Sequence, residues 1–309
     1  MYTDFIEEWR NGNTFVECHT SGSTGEPKMI ELPKGLMAES AKRTVRHFGI
    51  NASSHLHSCI SPEYIGGKMM AVRSEITGAR LTWEKPSNRP LSNYSDVGID
   101  LLAVVPSQMI DLLFRLAELP QIKAIIIGGA PINDELRLRI AESGLNAWET
   151  YGMTETASHI ALRKVSASDS GFRVLPGIEI STDKDSRLII NLGEWGEVRT
   201  NDVVKINSDG SFNVLGRYDN VIITGGKKVH PERVERIIEP LVGCEVMIYG
   251  EADKKWGERV IMTVDKSTKL TLEDIEAICK SRLPKECVPK KIIIQQIPHT
   301  QNGKKMRNN

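Results

Sequence analysis

The sequence predicts an α/β fold: a large N-terminal α/β lobe plus a β-rich subdomain over residues 1–218, then a small C-terminal α+β domain over residues 219–309. Three observations predict it. Apolar runs of strand length alternate with amphipathic helical patterns through the first half, as a mainly parallel sheet requires. Short alternating strands follow from about residue 172, and beyond Gly216 helical patterns return between strands. With 309 residues, 40% of them hydrophobic, the chain can bury a sizeable core, and at ~150 residues per domain two domains are expected.

The elements follow in order. Phe15 to His19 and Met29 to Leu32 read as the strands of a hairpin. After a turn at Pro33, Met37, Ala41, Thr44, Val45 and Phe48 share one helical face, and Gly49 is placed to cap it. Ile99 to Val105 is a buried strand that Pro106 ends, and Met109, Leu112, Leu113 and Leu116 form a helical stripe. Lys123 to Ile127 is a strand, Gly128 to Pro131 a turn, Asn133 the cap of a helix ending near Gly144, and Ala147 to Tyr151 a further strand. Ile178 to Ile180, Leu188 to Asn191, Glu197 to Thr200, Val203 to Asn207 and Phe212 to Leu215 suit an antiparallel sheet or barrel. Val221 to Thr224 and Val229 flank a Gly-Gly turn, and Pro231 opens a helix carrying Val234, Ile237 and Ile238. Strands at 245–249 and 259–264, a capping box from Thr271 to Asp274, a helix ending near Pro284 and a strand from Lys291 to Gln295 complete the chain.

Charge narrows the function classes. Forty basic and forty acidic residues cancel, so no excess of one sign draws the chain to nucleic acid or anionic lipid. The opening MYTDFIEEWRNG has carboxylates where a secretory signal needs cations, and the longest apolar run, around Ile122 to Ile132, is far short of the ~20 residues that span a bilayer. No membrane insertion and no nucleic-acid partner are expected. Cys18, Cys59, Cys244, Cys279 and Cys287 show no paired spacing, the pattern of free thiols in a reducing, cytoplasmic compartment. His55, His57 and Cys59 alternate on a strand face and could mimic a metal site, but with no fourth ligand near in sequence a zinc site is not expected.

The segment with the most chemistry is TSGSTGEPK, Thr20 to Lys28. Its glycines Gly22 and Gly25 let amide N–H groups converge, while Thr20, Ser21, Ser23, Thr24 and Lys28 add donors and a positive charge, a set suited to phosphate oxygens. It is not a Walker A loop: Pro27 stands where that pattern needs glycine, and a strand rather than a helix follows. Taken alone, the same composition also makes an ordinary flexible hairpin loop.

The run resembles the nucleotide-phosphate loop of the adenylate-forming enzymes, which include acyl-CoA synthetases, luciferases and peptide-synthetase adenylation domains. Further motifs occur in that family's order. YGMTET, Tyr151 to Thr156, resembles the adenine and metal segment, which implies Tyr151, Gly152 and Met153 beside the base, Thr154 in the catalytic set and Glu155 as a magnesium (Mg2+) ligand. Gly128, Gly129 and Ala130 resemble the turn on the other side of adenine. The resemblance makes Asp202 the carboxylate that accepts the ribose hydroxyls, although the family more often has glycine where Asn201 stands. GRYDNVIITGGKKVHPERVE, Gly216 to Glu235, is similar to the hinge segment, with Arg217 near the ribose and Asp219 the pivot of a mobile C-terminal domain. PHTQNGKKMR, Pro298 to Arg307, is similar to the motif whose lysine, here Lys304, enters the active site.

The resemblance therefore implies ATP, Mg2+ and CoA. A small-molecule carboxylic acid attacks the α-phosphorus of ATP, and a thiol then takes the acyl group. TGGKKVHPERVE is like the acyl-CoA synthetase form of its segment, which implies CoA passing Gly225 and Gly226. Ser61 to Gly78 and Ala103 to Met109 are similar to the acyl-binding segments of a ligase for an aromatic dicarboxylate. Tyr64 then stands at a gating position, Ser107 lines the acyl site, and Lys68 or Arg73 meets a second carboxylate; Arg73 reads equally well as a helix-surface charge. A ligase for another aromatic or fatty acid, or an adenylate-binding protein without catalysis, are the rival readings. Only 19 residues precede the phosphate loop, where the family usually has roughly a hundred or more, so an N-terminally short chain with a possible homodimer covering exposed sheet edge is expected.

Overall fold

The computed structural model describes residues 2–19, 28–95, 98–168, 170–299 and 305–307. They form two compact units, one of residues 1–180, 190–198 and 208–211, the other of residues 181–189, 199–207 and 212–309. The sequence places a boundary at Asp219; the compact units divide differently, because the segments 199–207 and 212–218 gather with the C-terminal residues.

The first unit starts with a helix that sequence periodicity did not announce, α1 (Tyr2–Arg10), followed by the antiparallel hairpin of β1 (Phe15–His19) and β2 (Met29–Pro33). Then come α2 (Lys34–Phe48), β3 (His55–Ser58), α3 (Ile65–Thr77), β4 (Arg80–Trp83), β5 (Leu101–Val104), α4 (Pro106–Phe114), β6 (Ile125–Ile127), α5 (Asp134–Glu142), β7 (Ala147–Met153), β8 (Ser158–Lys164) and β9 (Arg173–Val174). Gly49 caps α2 with φ 66°, and the Asn133 side chain caps α5 by accepting the Leu136 N–H. A seven-stranded sheet runs in the order β4-β3-β5-β6-β7-β8-β9, parallel from β4 to β7 and antiparallel beyond.

Both faces of this sheet are buried, which is why β5 and β6 read as continuous apolar runs. Leu102, Val104, Ile125 and Ile127 pack with Met109 and Leu112 of α4 and Ile140 of α5. Leu101, Ala103 and Ile126 face the other way, with Leu56 and Met70. The alternation of one strand therefore serves two cores.

Next, β10 (Glu179–Thr182), β11 (Arg187–Asn191), β12 (Glu197–Ile206) and β13 (Phe212–Arg217) form a four-stranded sheet in that order. The two short strands expected at 197–200 and 203–207 are one strand, with a register shift between Val203 and Val204.

The rest of the second unit is β14 (Ile222–Thr224), β15 (Lys227–Val229), α6 (Pro231–Val242), β16 (Val246–Asp253), β17 (Gly257–Val264), α7 (Leu272–Arg282) and β18 (Lys291–Ile294). The strands run β15-β14-β17-β16, and β18 pairs in parallel with β17. Val234 and Ile238 of α6 and Ile275 and Cys279 of α7 close the core over Ile222, Ile248, Val260 and Met262. The Thr271 capping box starts α7 as expected, with Asp274 donating its N–H to Thr271 Oγ1 at 3.2 Å.

Candidate active site

Parallel strands point their carboxyl ends the same way, and in an open α/β sheet the loops leaving those ends carry ligands. Here β3, β5, β6 and β7 are parallel neighbours, and the segments that follow them hold most of the expected site residues of the first unit.

The adenine-type residues meet through one strand pair. Ile127 of β6 lies opposite Glu149 of β7, and Thr150 donates its hydroxyl to the Ile127 carbonyl at 3.2 Å. This sets Gly128, Gly129 and Ala130 beside Tyr151. A Cβ on Gly128 would stand 2.7 Å from Thr150 Oγ1, and Gly129 has φ +88°, so glycine is required twice in this turn. The Tyr151 ring lies 5.7 Å from that of Phe172, and Gly152 sits where a side chain would collide with the Ser158 carbonyl.

A single tight turn follows. Thr156 Oγ1 accepts the Met153 N–H at 3.0 Å and approaches the Ser158 carbonyl at 2.7 Å, while Ala157 and Ser158 both have positive φ. The turn buries Thr154 and leaves Met153 half-buried and the Glu155 side chain exposed. Its donors are carboxylate, hydroxyl and carbonyl oxygens, a hard set that fits magnesium. Ser107 is exposed in the first turn of α4, after β5.

Thr20, Ser21, Gly22, Ser23, Thr24 and Gly25 lie outside the described residues, as does Lys304. The flanks are described: β1 and β2 pair from Phe15 opposite Pro33 to His19 opposite Met29, and Lys28 is exposed.

In the second unit, three expected residues form one cluster. Asp202 of β12 pairs in register with Arg217 of β13. The Arg217 guanidinium is 3.4 Å from Asp202 Oδ1 and 3.0 Å from Asp219 Oδ2, and Asn201 donates its side-chain N–H to Asp219 at 3.1 Å. Thr200 Oγ1 accepts the Asp202 N–H at 3.1 Å. Gly225 and Gly226, with φ +57° and +77°, make the two-residue turn between β14 and β15. Gly225 donates its N–H to the Trp256 carbonyl at 2.8 Å, and both glycines are exposed.

The residues beyond Lys304 are firmly held inside this unit. Lys305 donates to the Val246 carbonyl at 2.6 Å and pairs with Glu239 and, at 3.5 Å, Glu235. Arg307 donates to both Glu235 oxygens at 2.6 Å, and Glu235 also accepts the Ile248 N–H at 2.7 Å. Burial pushes the Glu239 carboxyl up, opposed by the Lys305 charge. Glu235 and Glu239 were not singled out from sequence; their only signal is the i, i+4 spacing on α6.

The acyl-site residues behave differently from one another. Tyr64 is 46% exposed at the start of α3. Lys68 is already engaged, its Nζ 3.6 Å from Glu8 and 4.5 Å from the Phe5 ring centre. Arg73 is no helix-surface charge: it is 1% exposed, because α3 packs against α1, α2 and the sheet. Its Nη1 reaches only Met70 Sδ, at 3.5 Å, and Nε and Nη2 find no hydrogen-bond acceptor among the described residues. Burial pushes this guanidinium down to about 9, still charged at neutral pH.

Comparison with known proteins gives the same family from several directions. The family model described as AMP-binding enzyme matches residues 5–200, and the AMP-binding enzyme C-terminal domain model matches residues 244–304. A 2-succinylbenzoate–CoA ligase of Bacillus cereus is 25% identical, with 97% of this chain and 70% of that protein covered; the Bacillus mycoides protein of the same name is 26% identical over the same shares. Among solved structures, an acyl-CoA synthetase (AMP-forming)/AMP-acid ligase II-like protein from Dyadobacter fermentans is 30% identical, covers 98% of this chain and 91% of its own, and has a TM-score of 0.65. The Bacillus subtilis o-succinylbenzoate CoA synthetase, solved with ATP and magnesium, shares the fold with a TM-score of 0.82 at 22% identity, over 93% of this chain and 68% of its own.

Proposed function

The chain belongs to the AMP-binding enzyme family, and we propose that it is an acid–CoA ligase whose acid is an aromatic dicarboxylate, o-succinylbenzoate, which places it in menaquinone synthesis. The observation that carries the choice of acid is Arg73: a buried guanidinium with two nitrogens lacking acceptors calls for an anion, since an unpaired buried charge costs several kcal/mol. A substrate with a carboxylate to spare beyond the one it activates supplies that anion. The names of the curated relatives agree.

The reaction is a pair of transfers. One substrate carboxylate oxygen attacks the α-phosphorus of ATP, the bond to the β-phosphate oxygen breaks, and pyrophosphate leaves. The CoA thiol, losing its proton, then attacks the acyl carbon and AMP leaves. In the first step an anion approaches an anion, so the protein must stabilise charge rather than supply a strong base. On this reading Thr20 to Gly25 and Lys28 hold phosphate oxygens and Lys304 meets the charge that develops at the α-phosphate. Glu155, with Thr154 beside it, would hold a magnesium ion, which when bound neutralises phosphate charge.

Gly128 to Ala130 and Tyr151 to Met153 would flank the adenine, and Asp202 and Arg217 the ribose. Tyr64 and Ser107 would border the acyl group with Arg73, while Lys68, paired with Glu8, is the weaker candidate for the second carboxylate. Gly225 and Gly226, lacking side chains, would leave room for the pantetheine arm.

The experiment is CoA-dependent AMP formation with ATP, magnesium and a panel of acids. o-Succinylbenzoate should be used far faster than benzoate or a medium-chain fatty acid. Equal rates with the three acids would remove the dicarboxylate reading. Pyrophosphate release with none of them would leave an adenylate-binding protein.

A further inference from the structure

The histidine and cysteine that alternate at the end of β3 gain a third companion from the next strand. Because β3 and β4 run parallel with Ser58 opposite Trp83, Glu84 leaves β4 beside Cys59. A nitrogen of His57, the sulfur of Cys59 and a carboxylate oxygen of Glu84 all lie within 4.8 Å of one another. His57 and Cys59 are buried, and Glu84 reaches the rim with 23% of its side chain exposed.

The nitrogen and oxygen donors are oriented from behind. His55 Nδ1 donates to the Gly98 carbonyl at 3.0 Å, which leaves its Nε2 to accept the Thr82 hydroxyl at 2.7 Å, so Thr82 Oγ1 in turn accepts from His57 Nδ1 at 2.8 Å. A proton on His57 Nδ1 leaves Nε2 with a lone pair, 4.0 Å from Glu84 Oε2. The Leu91 N–H donates to both Glu84 oxygens, at 3.0 and 3.2 Å. Partners that fix the tautomer of a histidine and the position of a carboxylate are the usual outer shell of a metal site.

We infer that His57, Cys59 and Glu84 form a binding site for one borderline divalent cation, zinc or its surrogate cobalt, with a water as fourth ligand. One nitrogen, one sulfur and one oxygen are the mixed donor set that zinc accepts, and three protein ligands plus an open position is a common zinc arrangement. Bonds of ~2.0–2.3 Å in a tetrahedron set donors roughly 3.5 Å apart, so donors that lie within 4.8 Å of one another need shifts of only about an ångström to close on one ion. Binding exchanges the thiol S–H bond for a sulfur–metal bond and releases the proton to solvent. Burial and the Glu84 charge push the Cys59 thiol up, so the metal-free site keeps that proton. The ion would tie β4, at the edge of the seven-stranded sheet, to β3. The site is separate from Glu155, and the inference stands whether or not the chain acts on o-succinylbenzoate.

The test uses the full chain stripped with a chelator and given Co2+. A near-ultraviolet thiolate-to-cobalt band and visible bands of tetrahedral cobalt should appear, saturate at about one equivalent and bleach on adding Zn2+. Cys59→Ser should abolish the thiolate band, and Glu84→Gln, which keeps an oxygen to accept the Leu91 N–H, should weaken Zn2+ binding at least about tenfold. Absence of a thiolate band in the wild type, or uptake unchanged in Glu84→Gln, would overturn the inference.

Discussion

The Arg217 guanidinium stands 3.0 Å from the carboxylate of Asp219, two positions along the chain. Its other terminal nitrogen is 3.4 Å from Asp202 across the β12–β13 pair. The residue proposed for the ribose and the residue proposed as the pivot thus share one cation, so a change of backbone angle at 219 alters what Arg217 offers to Asp202.

Asp219→Pro fixes φ near −65° at a position that here lies in a short 3-10 turn, Tyr218–Asn220. Pyrophosphate release should continue at close to the normal rate, while conversion of acyl-AMP to thioester should slow strongly, as expected when a conformational step is blocked. Rapid-quench measurement of each half-reaction separates the two, and normal rates for both would remove Asp219 from the pivot role.

Lys304→Ala should slow acyl-AMP formation by roughly a hundred- to a thousandfold, the ~3–4 kcal/mol typical of losing one preorganised donor. Thioester formation from supplied acyl-AMP should survive. Glu235→Ala should instead lower stability by up to ~3–5 kcal/mol, because it takes from the mostly buried Arg307 the carboxylate that accepts two of its hydrogen bonds, while Lys305 keeps Glu239. Urea unfolding distinguishes this structural loss from the purely kinetic one at Lys304.

Arg73→Met should leave the free protein as stable as before or more so, by up to ~1–4 kcal/mol, since it removes a buried charge whose Nε and Nη2 have no acceptor. The same change should cost the dicarboxylate at least ~30-fold in kcat/KM and leave a monocarboxylic acid unaffected. Thermal unfolding with and without each acid, together with the two kcat/KM values, tests both halves.

His159 makes stability fall in mild acid. It is buried, with its Nε2 2.9 Å from Thr44 Oγ1, and burial first, then the charges of Arg73 and His47, hold its pKa well below the usual 6.5. The unfolded chain binds a proton below about pH 6.5 that the folded chain refuses, so stability is full above that pH and drops by up to ~1.4 kcal/mol per unit below it. His159→Gln should flatten this part of the urea-unfolding profile between pH 6.5 and 5; an unchanged slope would assign it to other groups.

Much of this architecture was legible because its signals are local. Asn133, Gly49, Pro106 and Thr271 end or begin helices by caps and fixed angles that depend on a few neighbours, and all four act as expected. Asp202, Arg217 and Asp219 were each singled out by motif order, and the structure brings the three together around one guanidinium. What stayed hidden depends on pairing between distant strands. Glu84 joins Cys59 only because β4 lies beside β3, and Arg73 is buried only because α3 is covered by α1 and α2. The bulge that makes one strand of 197–206 is likewise a property of its partner, β13. The ion pair of Lys68 was hidden for the same reason: its partner is Glu8, sixty residues earlier.

The turn after β6 and the end of β7 with the turn that follows it hold the residues proposed for adenine and magnesium, while the segments after β3 and β5 hold those proposed for the acid. Beneath them Ile125 to Ile127 and Leu101 to Val104 form one continuous apolar foundation. On the proposed reading, changes at Tyr64 or Ser107, both exposed, would alter which acid is accepted while leaving the turn of Gly128 to Ala130 untouched. Divergence among descendants should be concentrated on one side of this sheet's upper edge.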